Sequence, residues 1–230
     1  MTIAHRLQQL NERIRRACEL AERDPSTVRL LAASKTVSAD QIRDALDAGQ
    51  ALFGESRAQE LRDKGRLLEE HRPAPEWHFI GHLQRNKIKY LVGRVSLIHT
   101  IDRVEVAQAI SDRIARAPQP RPIEVLVEVN LGSEWSKSGV APSDTLGLCQ
   151  ALQNIPHISL RGLMAVPPWS PDAEHSRPHF ERLRELAQLG HSHGLELNEL
   201  SMGMSHDFEH AIACGATIIR VGTAIFGPRS

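Results

Sequence analysis

Short runs of apolar and β-branched residues alternate along this chain with longer stretches in which apolar residues recur every three or four positions. The short runs are typical of buried strands, and the longer stretches are typical of amphipathic helices. Eight strands are predicted, at residues 28–33, 51–53, 77–80, 97–101, 123–129, 159–164, 199–201 and 217–221. Helices are predicted at residues 3–23, 38–49, 56–71, 85–92, 104–117, 143–153, 173–193 and 205–214.

A helix after nearly every strand predicts βα units and therefore a parallel sheet. Eight such units in 230 residues match a closed (β/α)8 barrel, which typically takes about 250 residues. We therefore predict an α/β fold, a single TIM-type (β/α)8 barrel domain over residues 1–230 with an extra N-terminal helix. An open, doubly wound sheet is the alternative, because a strand is easily missed or added in a single sequence.

The charge of the chain is balanced, with 28 Lys and Arg residues against 28 Asp and Glu residues. Duplex nucleic acid usually binds a clustered positive stripe, which this sequence lacks. Aromatic residues, which would stack on single strands, make up only 4% of the chain. Because no apolar run approaches the length of a membrane span either, we predict neither a nucleic-acid nor a membrane partner.

The cysteines and histidines indicate neither disulfides nor a metal. The cysteines are odd in number and widely separated, at Cys18, Cys149 and Cys214. We therefore predict no disulfide framework and a location in the reducing cytoplasm. His206 and His210 have the spacing of metal ligands on a helix, but no third ligand accompanies them. No metal site is predicted.

Lys35 ends the first apolar run, LLAAS, and would lie at the mouth of the barrel. Other polar residues and glycines also follow the predicted strands, and that end of a barrel carries the active site in barrel enzymes. Apolar surroundings favour the neutral form of a lysine amine, which can attack a carbonyl group. The alternative is that Lys35 simply extends to solvent at a strand end.

The last two βα units indicate a phosphate site. Barrels often bind phosphate with the loops after strands 7 and 8, which here contain Gly203, Ser205, Gly222 and Thr223. The glycines would let backbone N–H groups approach an anion, and Ser205 is predicted to begin a helix whose N-terminus faces it. An ordinary N-cap followed by a turn glycine is the alternative.

Arg220 interrupts the last apolar strand, TIIRVG. Strand alternation puts Ile218, Arg220 and Gly222 on one face, which we predict to point into the barrel. An arginine there needs an acceptor, and either a pyridine nitrogen or a buried carboxylate could serve. A lysine amine, a phosphate cradle and a buried arginine together describe a pyridoxal 5′-phosphate site.

Several motifs resemble those of the pyridoxal phosphate homeostasis protein family, over about residues 28–229. They are SKTVSADQIRDALDAGQALFGESRAQEL, WHFIGHLQRNKIKYL, HTIDR, VEVNLGSEWSKSGV, LRGLMAVPP, LSMGMSHDFEHAI and RVGTAIFGPR. This family is similar to the N-terminal barrel of alanine racemase, without that enzyme's second domain. The chain departs from it at Ser56, where members usually have Asn.

The resemblance implies that Lys35 forms an imine with pyridoxal 5′-phosphate. It implies that Ser205, Gly222 and Thr223 hold the phosphate, that Arg220 faces the pyridine nitrogen, and that Met204 lines the site. The implied role is vitamin B6 homeostasis without a dedicated reaction. The implied partners are apoenzymes that need the cofactor. Lys137 is a candidate for a secondary, transient site.

An amino-acid racemase of the alanine racemase type is the alternative function. Racemisation needs acid/base groups on both faces of the imine, and the only tyrosine is Tyr90. We predict Tyr90 to be a half-buried helix residue away from the strand ends. Because the resemblance omits the second domain and its dimer contacts, a monomer is expected.

Overall fold

Eight parallel strands close into a barrel, with each strand bonded to the next in chain order and β8 bonded to β1. The computed structural model describes residues 1–132 and 138–228. The strands are β1 (Arg29–Ala33), β2 (Leu52–Glu55), β3 (Glu76–Phe79), β4 (Leu97–Ile101), β5 (Ile123–Glu128), β6 (Ile158–Met164), β7 (Glu199–Ser201) and β8 (Ile218–Val221). The pairing of Leu31 with Arg220 is part of the β1–β8 register, so the closed barrel is confirmed and the open sheet is wrong.

Helices surround the barrel and follow most of its strands. They are α1 (Ile3–Leu20), α2 (Ala39–Asp47), α3 (Ala58–Leu67), α4 (Val104–Ala115), α5 (Thr145–Gln153), α6 (Arg177–Ser192), α7 (Phe208–Ala213) and α8 (Thr223–Phe226). Short 3-10 segments lie at Pro25–Thr27, Arg85–Tyr90 and Ala173–Ser176. None of the helices in the described ranges is long and apolar enough to cross a membrane.

Two apolar cores result from the alternation of side chains along the strands. A small core fills the barrel itself and consists of Leu31, Leu52, Leu97, Leu126, Met164 and Ile218. A larger core lies between the strands and the surrounding helices. The extra helix α1 packs against α2, α7 and α8, so it covers the region where the first and last strands meet.

Several helices are shorter than the sequence pattern predicts. The first helix was expected to reach Arg23 but ends at Leu20. The Arg23 N–H donates to the Cys18 carbonyl at 2.9 Å, and its guanidinium donates to the Ile212 carbonyl at 2.8 Å. These bonds turn the chain towards β1. The start of α2 agrees with the sequence, since Ser38 and Gln41 form the predicted capping box.

Candidate cofactor-binding site

A cavity of about 410 Å³ lies at the carboxyl end of the barrel, beside the junction of β1 and β8. All six residues predicted to bind a cofactor line it, namely Lys35, Met204, Ser205, Arg220, Gly222 and Thr223. Its volume is within the range of small-molecule sites. Among the described residues that line it, Lys35 and Arg220 are basic and none is acidic. The cavity therefore favours an anionic ligand.

Lys35 lies two residues after the end of β1, and the residues on both sides of it are held by α3. The Ser34 carbonyl accepts a hydrogen bond from Nζ of Lys64 at 2.7 Å. The Thr36 N–H donates to Oε1 of Glu60 at 2.8 Å. Lys35 itself is partly buried. The backbone that carries the candidate nucleophile is thus fixed before and after it.

Lys64 is the centre of a buried charged cluster beneath this loop. Its Nζ lies 2.7 Å from Oε1 of both Glu55 and Glu60. The Ser34 hydroxyl also donates to Oε1 of Glu55, at 2.7 Å. Burial raises the pKa of Glu55, and its bond to Lys64 opposes that rise. Because one ammonium bonds both carboxylates and the Ser34 carbonyl, α3 is tied to the ends of β1 and β2.

Ser205 and Thr223 bring hydroxyl groups to the cavity from the loops after β7 and β8. Gly222 lies between β8 and α8, where a Cβ atom would stand 3.1 Å from the Ala33 carbonyl oxygen. A larger residue would crowd β1 at this point. These two loops are the ones with which barrels commonly bind phosphate.

The predicted helix start at Ser205 is wrong, because α7 begins at Phe208 and Ser205 lies in the turn before it. Asp207 holds this turn. Its Oδ1 accepts a hydrogen bond from the Met204 N–H at 2.7 Å, and its Oδ2 accepts one from the Ser176 hydroxyl at 2.8 Å. Ser205 therefore reaches the cavity as a turn residue, and no cap of α7 is involved.

Arg220 points into the barrel, as the alternation of β8 predicts. Ile218 belongs to the core inside the barrel, whereas Ile219 and Val221 belong to the outer core. Arg220 is 6% exposed, and burial lowers its pKa to about 10, so it stays charged at neutral pH.

The acceptors of the buried Arg220 guanidinium are neutral groups. Nη1 donates to the Ser201 hydroxyl at 2.5 Å, and Nη2 donates to the Ala165 carbonyl at 2.9 Å. A buried carboxylate is the alternative partner that the sequence allows. In residues 1–132 and 138–228, the ion pairs within 4.0 Å do not include Arg220, although Glu128 and Asp207 attract its charge over a longer distance.

A chain of polar side chains continues from Arg220 through the barrel to the amino end of β3. Nδ1 of His99 lies 2.8 Å from the Ser201 hydroxyl, and Nε2 of His99 lies 2.9 Å from Nδ1 of His78. Nε2 of His78 lies 3.3 Å from Oε1 of Glu76. Ser201, His99 and His78 are at most 1% exposed. We call the set Glu76, His78, His99 and Ser201 the barrel relay.

The barrel relay was not predicted from the sequence. The signal was present, since His78 and His99 each lie between large apolar residues of a strand, as Arg220 does. Inward-facing polar residues on separate strands meet in a closed barrel, because the barrel interior is narrow. The alternation that predicts an inward Arg220 on β8 therefore also predicts inward histidines on β3 and β4.

Other predicted strand-end residues lie outside the described lining of the cavity. His82 and Asp102 form a separate pair at the mouth, with Nδ1 and Oδ2 4.0 Å apart. Ser56 packs its backbone against Gly81. His210 contacts Glu174, and the described residues contain no group of three or more side chains arranged to hold a metal. Lys137 lies outside the described residues.

Comparisons with known proteins cover the whole chain. A family model for the alanine racemase N-terminal domain matches residues 5–230. Proteins named pyridoxal phosphate homeostasis protein are 44% identical in Aquifex aeolicus and 45% identical in Pseudomonas aeruginosa. The alignments cover 100% and 99% of this chain, and 99% and 96% of those proteins.

A solved structure of PipY from Synechococcus elongatus, with PLP bound, has the same fold. It superposes with a TM-score of 0.86 at 34% identity, over 98% of this chain and 100% of that chain. Both the sequence and the fold of the present barrel therefore have relatives of matching length.

Proposed function

Since the chain belongs to the pyridoxal phosphate homeostasis protein family, we propose that it binds pyridoxal 5′-phosphate in the cavity beside β1 and β8. The proposed role is to hold this cofactor inside the cell and to take part in vitamin B6 homeostasis. No committed reaction is part of the proposal. Apoenzymes that need the cofactor are the proposed recipients.

The observation that carries the proposal is the combination of groups around one cavity. A lysine amine, two hydroxyls and a buried guanidinium line it, while its described lining contains no carboxylate. Pyridoxal 5′-phosphate carries an aldehyde, a phosphate and a basic ring nitrogen, and each of these has a matching group in the cavity. Its phosphate suits the positive character of the cavity.

Lys35 is proposed to hold the cofactor covalently. When bound, the cofactor supplies an aldehyde that condenses with a primary amine, so that a C=N bond replaces C=O and water leaves. The bonds from Lys64 and Glu60 to the residues beside Lys35 fix the backbone from which this amine extends.

The remaining lining residues are proposed to orient the cofactor. Ser205 and Thr223 donate hydroxyl hydrogen bonds to the phosphate, and Gly222 keeps the wall beside β1 open. Met204 supports the ligand from the loop after β7. Arg220 donates an N–H group to the ring nitrogen, and because a guanidinium only donates, this nitrogen has to remain unprotonated.

Reduction with borohydride followed by peptide mapping tests the proposal. We expect a visible absorbance band of the loaded protein to disappear on reduction and a pyridoxyl adduct to appear on Lys35. Lys35→Ala should give no adduct, whereas Lys89→Ala is a matched control, because Lys89 is an exposed residue of the 3-10 segment at Arg85–Tyr90. An adduct mainly on Lys137 or another lysine would contradict the assignment.

Amino-acid racemisation is the second candidate function, since the matching family model is an alanine racemase domain. Tyr90 is half-buried on the outside of the barrel, as predicted, with Cζ of Arg62 and Nζ of Lys89 each 5.1 Å from its ring centroid. It is outside the described cavity lining and is not proposed as a second proton donor. Turnover of D- or L-alanine by the loaded protein would favour the racemase instead.

A further inference from the structure

The barrel relay has one defined direction. The guanidinium of Arg220 can only donate, so the Ser201 oxygen accepts from it. At the other end of the relay the Glu76 carboxylate can only accept, so Nε2 of His78 donates to it. Burial lowers the pKa of His99 and of His78, which keeps both rings neutral, with one N–H each. Each ring therefore carries its hydrogen on Nε2.

The hydrogen bonds of the relay all run from Arg220 towards a negatively charged carboxylate. His99 donates to Nδ1 of His78, and His78 donates to the Glu76 carboxylate. Glu76 is also bonded by the Ser96 hydroxyl at 2.8 Å, and its hydrogen bond with His78 lowers its pKa to about 2. Hydrogen bonds aligned in one direction polarise one another in a low-dielectric interior.

This arrangement compensates a buried cation that has no close carboxylate among the described residues. The polarised Ser201 oxygen is the nearest acceptor of Arg220. Only two of the five guanidinium N–H groups are used in the bonds to Ser201 and Ala165. One edge of the guanidinium is thereby fixed, and other N–H groups remain for the cavity that Arg220 lines.

We propose that His99 and Ser201, together with His78 and Glu76, are positioning residues that orient the Arg220 guanidinium towards the ring nitrogen of the bound cofactor. The proposal rests on the proposed function, because it takes pyridoxal 5′-phosphate as the ligand. None of the four residues is among the described residues that line the cavity. They act through Arg220, from inside the barrel.

The first test uses the protein without cofactor. In ¹⁵N-histidine-labelled protein, long-range ¹H–¹⁵N spectra distinguish the two neutral tautomers. We expect His78 and His99 both to be protonated on Nε2. A hydrogen on Nδ1 of either ring would overturn the proposed direction of the relay, whatever the protein binds.

The second test adds pyridoxal 5′-phosphate that is ¹⁵N-labelled at the ring nitrogen. We expect His99→Phe to weaken cofactor binding about tenfold, because it removes the acceptor that orients Ser201, and to move the ring-nitrogen chemical shift. Glu76→Gln keeps a hydrogen-bond acceptor for His78 but removes the charge. It should move the same chemical shift in the same direction, which a merely structural role of Glu76 would not do.

Controls separate this proposal from the proposed function. Ser201→Ala should reproduce the effect of His99→Phe, whereas Ser111→Ala removes a buried hydroxyl from α4 outside the relay and should change nothing. If His99→Phe does not fold, the affinities and chemical shifts of Ser201→Ala and Glu76→Gln test the relay proposal instead. Unchanged affinity and an unchanged chemical shift would overturn the relay alone. A parent protein that takes up no cofactor would overturn the proposed function, and the relay proposal with it.

Discussion

Glu128 is the last residue of β5, and one of its carboxylate oxygens, Oε2, is buried without a hydrogen-bond partner in the described part of the chain. Burial raises the pKa of Glu128 to about 7, and the nearby charge of Asp102 adds to the rise. Arg220 opposes it from a longer distance. A side chain whose charge interacts with that of Arg220 thus changes its own charge near neutral pH.

Glu128 should make the apoprotein less stable as the pH rises. An unfolded glutamate titrates near pH 4.3, so stabilisation by its protonated form is full below that pH and is lost as the pH rises through about 7. Glu128→Gln should remove this loss. We expect urea unfolding to give similar free energies for parent and variant at pH 5, and a higher value for the variant at pH 8. Equal values at pH 8 would contradict a buried, shifted Glu128.

The two hydroxyls proposed for the phosphate predict a loss of affinity without a loss of fold. Each hydrogen bond to a charged oxygen contributes about 1.5–3 kcal/mol. Ser205→Ala combined with Thr223→Ala should therefore weaken cofactor retention strongly, as measured by equilibrium dialysis. Circular dichroism should stay unchanged. Ser143→Ala, at an exposed position before α5, is the control. Unchanged affinity in the double variant would place the phosphate elsewhere.

Single residues were predictable where a local rule decides their direction. Strand alternation is enough to predict Arg220 inside the barrel, and the end of an apolar run is enough to predict Lys35 at the mouth. The acceptors of Arg220 were not predictable, because Ser201 and Ala165 come from other strands and loops. The sequence suggests a pyridine nitrogen or a carboxylate as the acceptor of Arg220. A hydroxyl polarised by two histidines is not among these.

At the scale of elements, the strands were predicted better than the ends of the helices. A buried parallel strand is apolar on both faces, so its pattern is nearly continuous. Helix ends depend on contacts with distant residues. The turn at Asp207 depends on Ser176, so the sequence around α7 alone could not show that this helix begins at Phe208.

The spacing between β6 and β7 predicts a matched pair of glycine substitutions. A Cβ atom at Gly162 would lie 1.9 Å from the backbone oxygen of Glu199, whereas a Cβ atom at Gly147 in α5 would meet nothing within 4 Å. Gly162→Ala should therefore lower the free energy of unfolding markedly. Gly147→Ala should raise it by about 0.5–1 kcal/mol, because alanine is the better helix residue. Thermal and urea denaturation measure both, and a neutral Gly162→Ala would contradict the close strand packing.

At the scale of the whole molecule, large apolar side chains are exposed at scattered positions. In the described part of the chain they are Met1, Leu20, Leu67, Val104, Val166, Trp169 and Leu189. They come from different helices and loops, and stable subunit interfaces need a contiguous complementary area of roughly 1,000 Å² or more.

A monomer is therefore expected in solution. Sedimentation equilibrium should give a mass near 25.6 kDa over a wide range of protein concentrations, with and without pyridoxal 5′-phosphate. Trp169→Ser removes an exposed indole from the loop after β6 and should not change this mass. A mass that doubles with concentration, and returns to the monomer value in Trp169→Ser, would instead identify a dimer interface at the loop after β6.

The junction of β1 with β8 has a consequence for how the protein is made. Lys35 follows the first strand, while Arg220 and Thr223 belong to β8 and α8, and the cavity exists only where these parts meet. During synthesis on a ribosome, the lysine emerges long before the residues that would orient a ligand beside it. A growing chain can therefore offer an amine but no enclosed site, so cofactor retention begins only after β8 has been made and the barrel has closed.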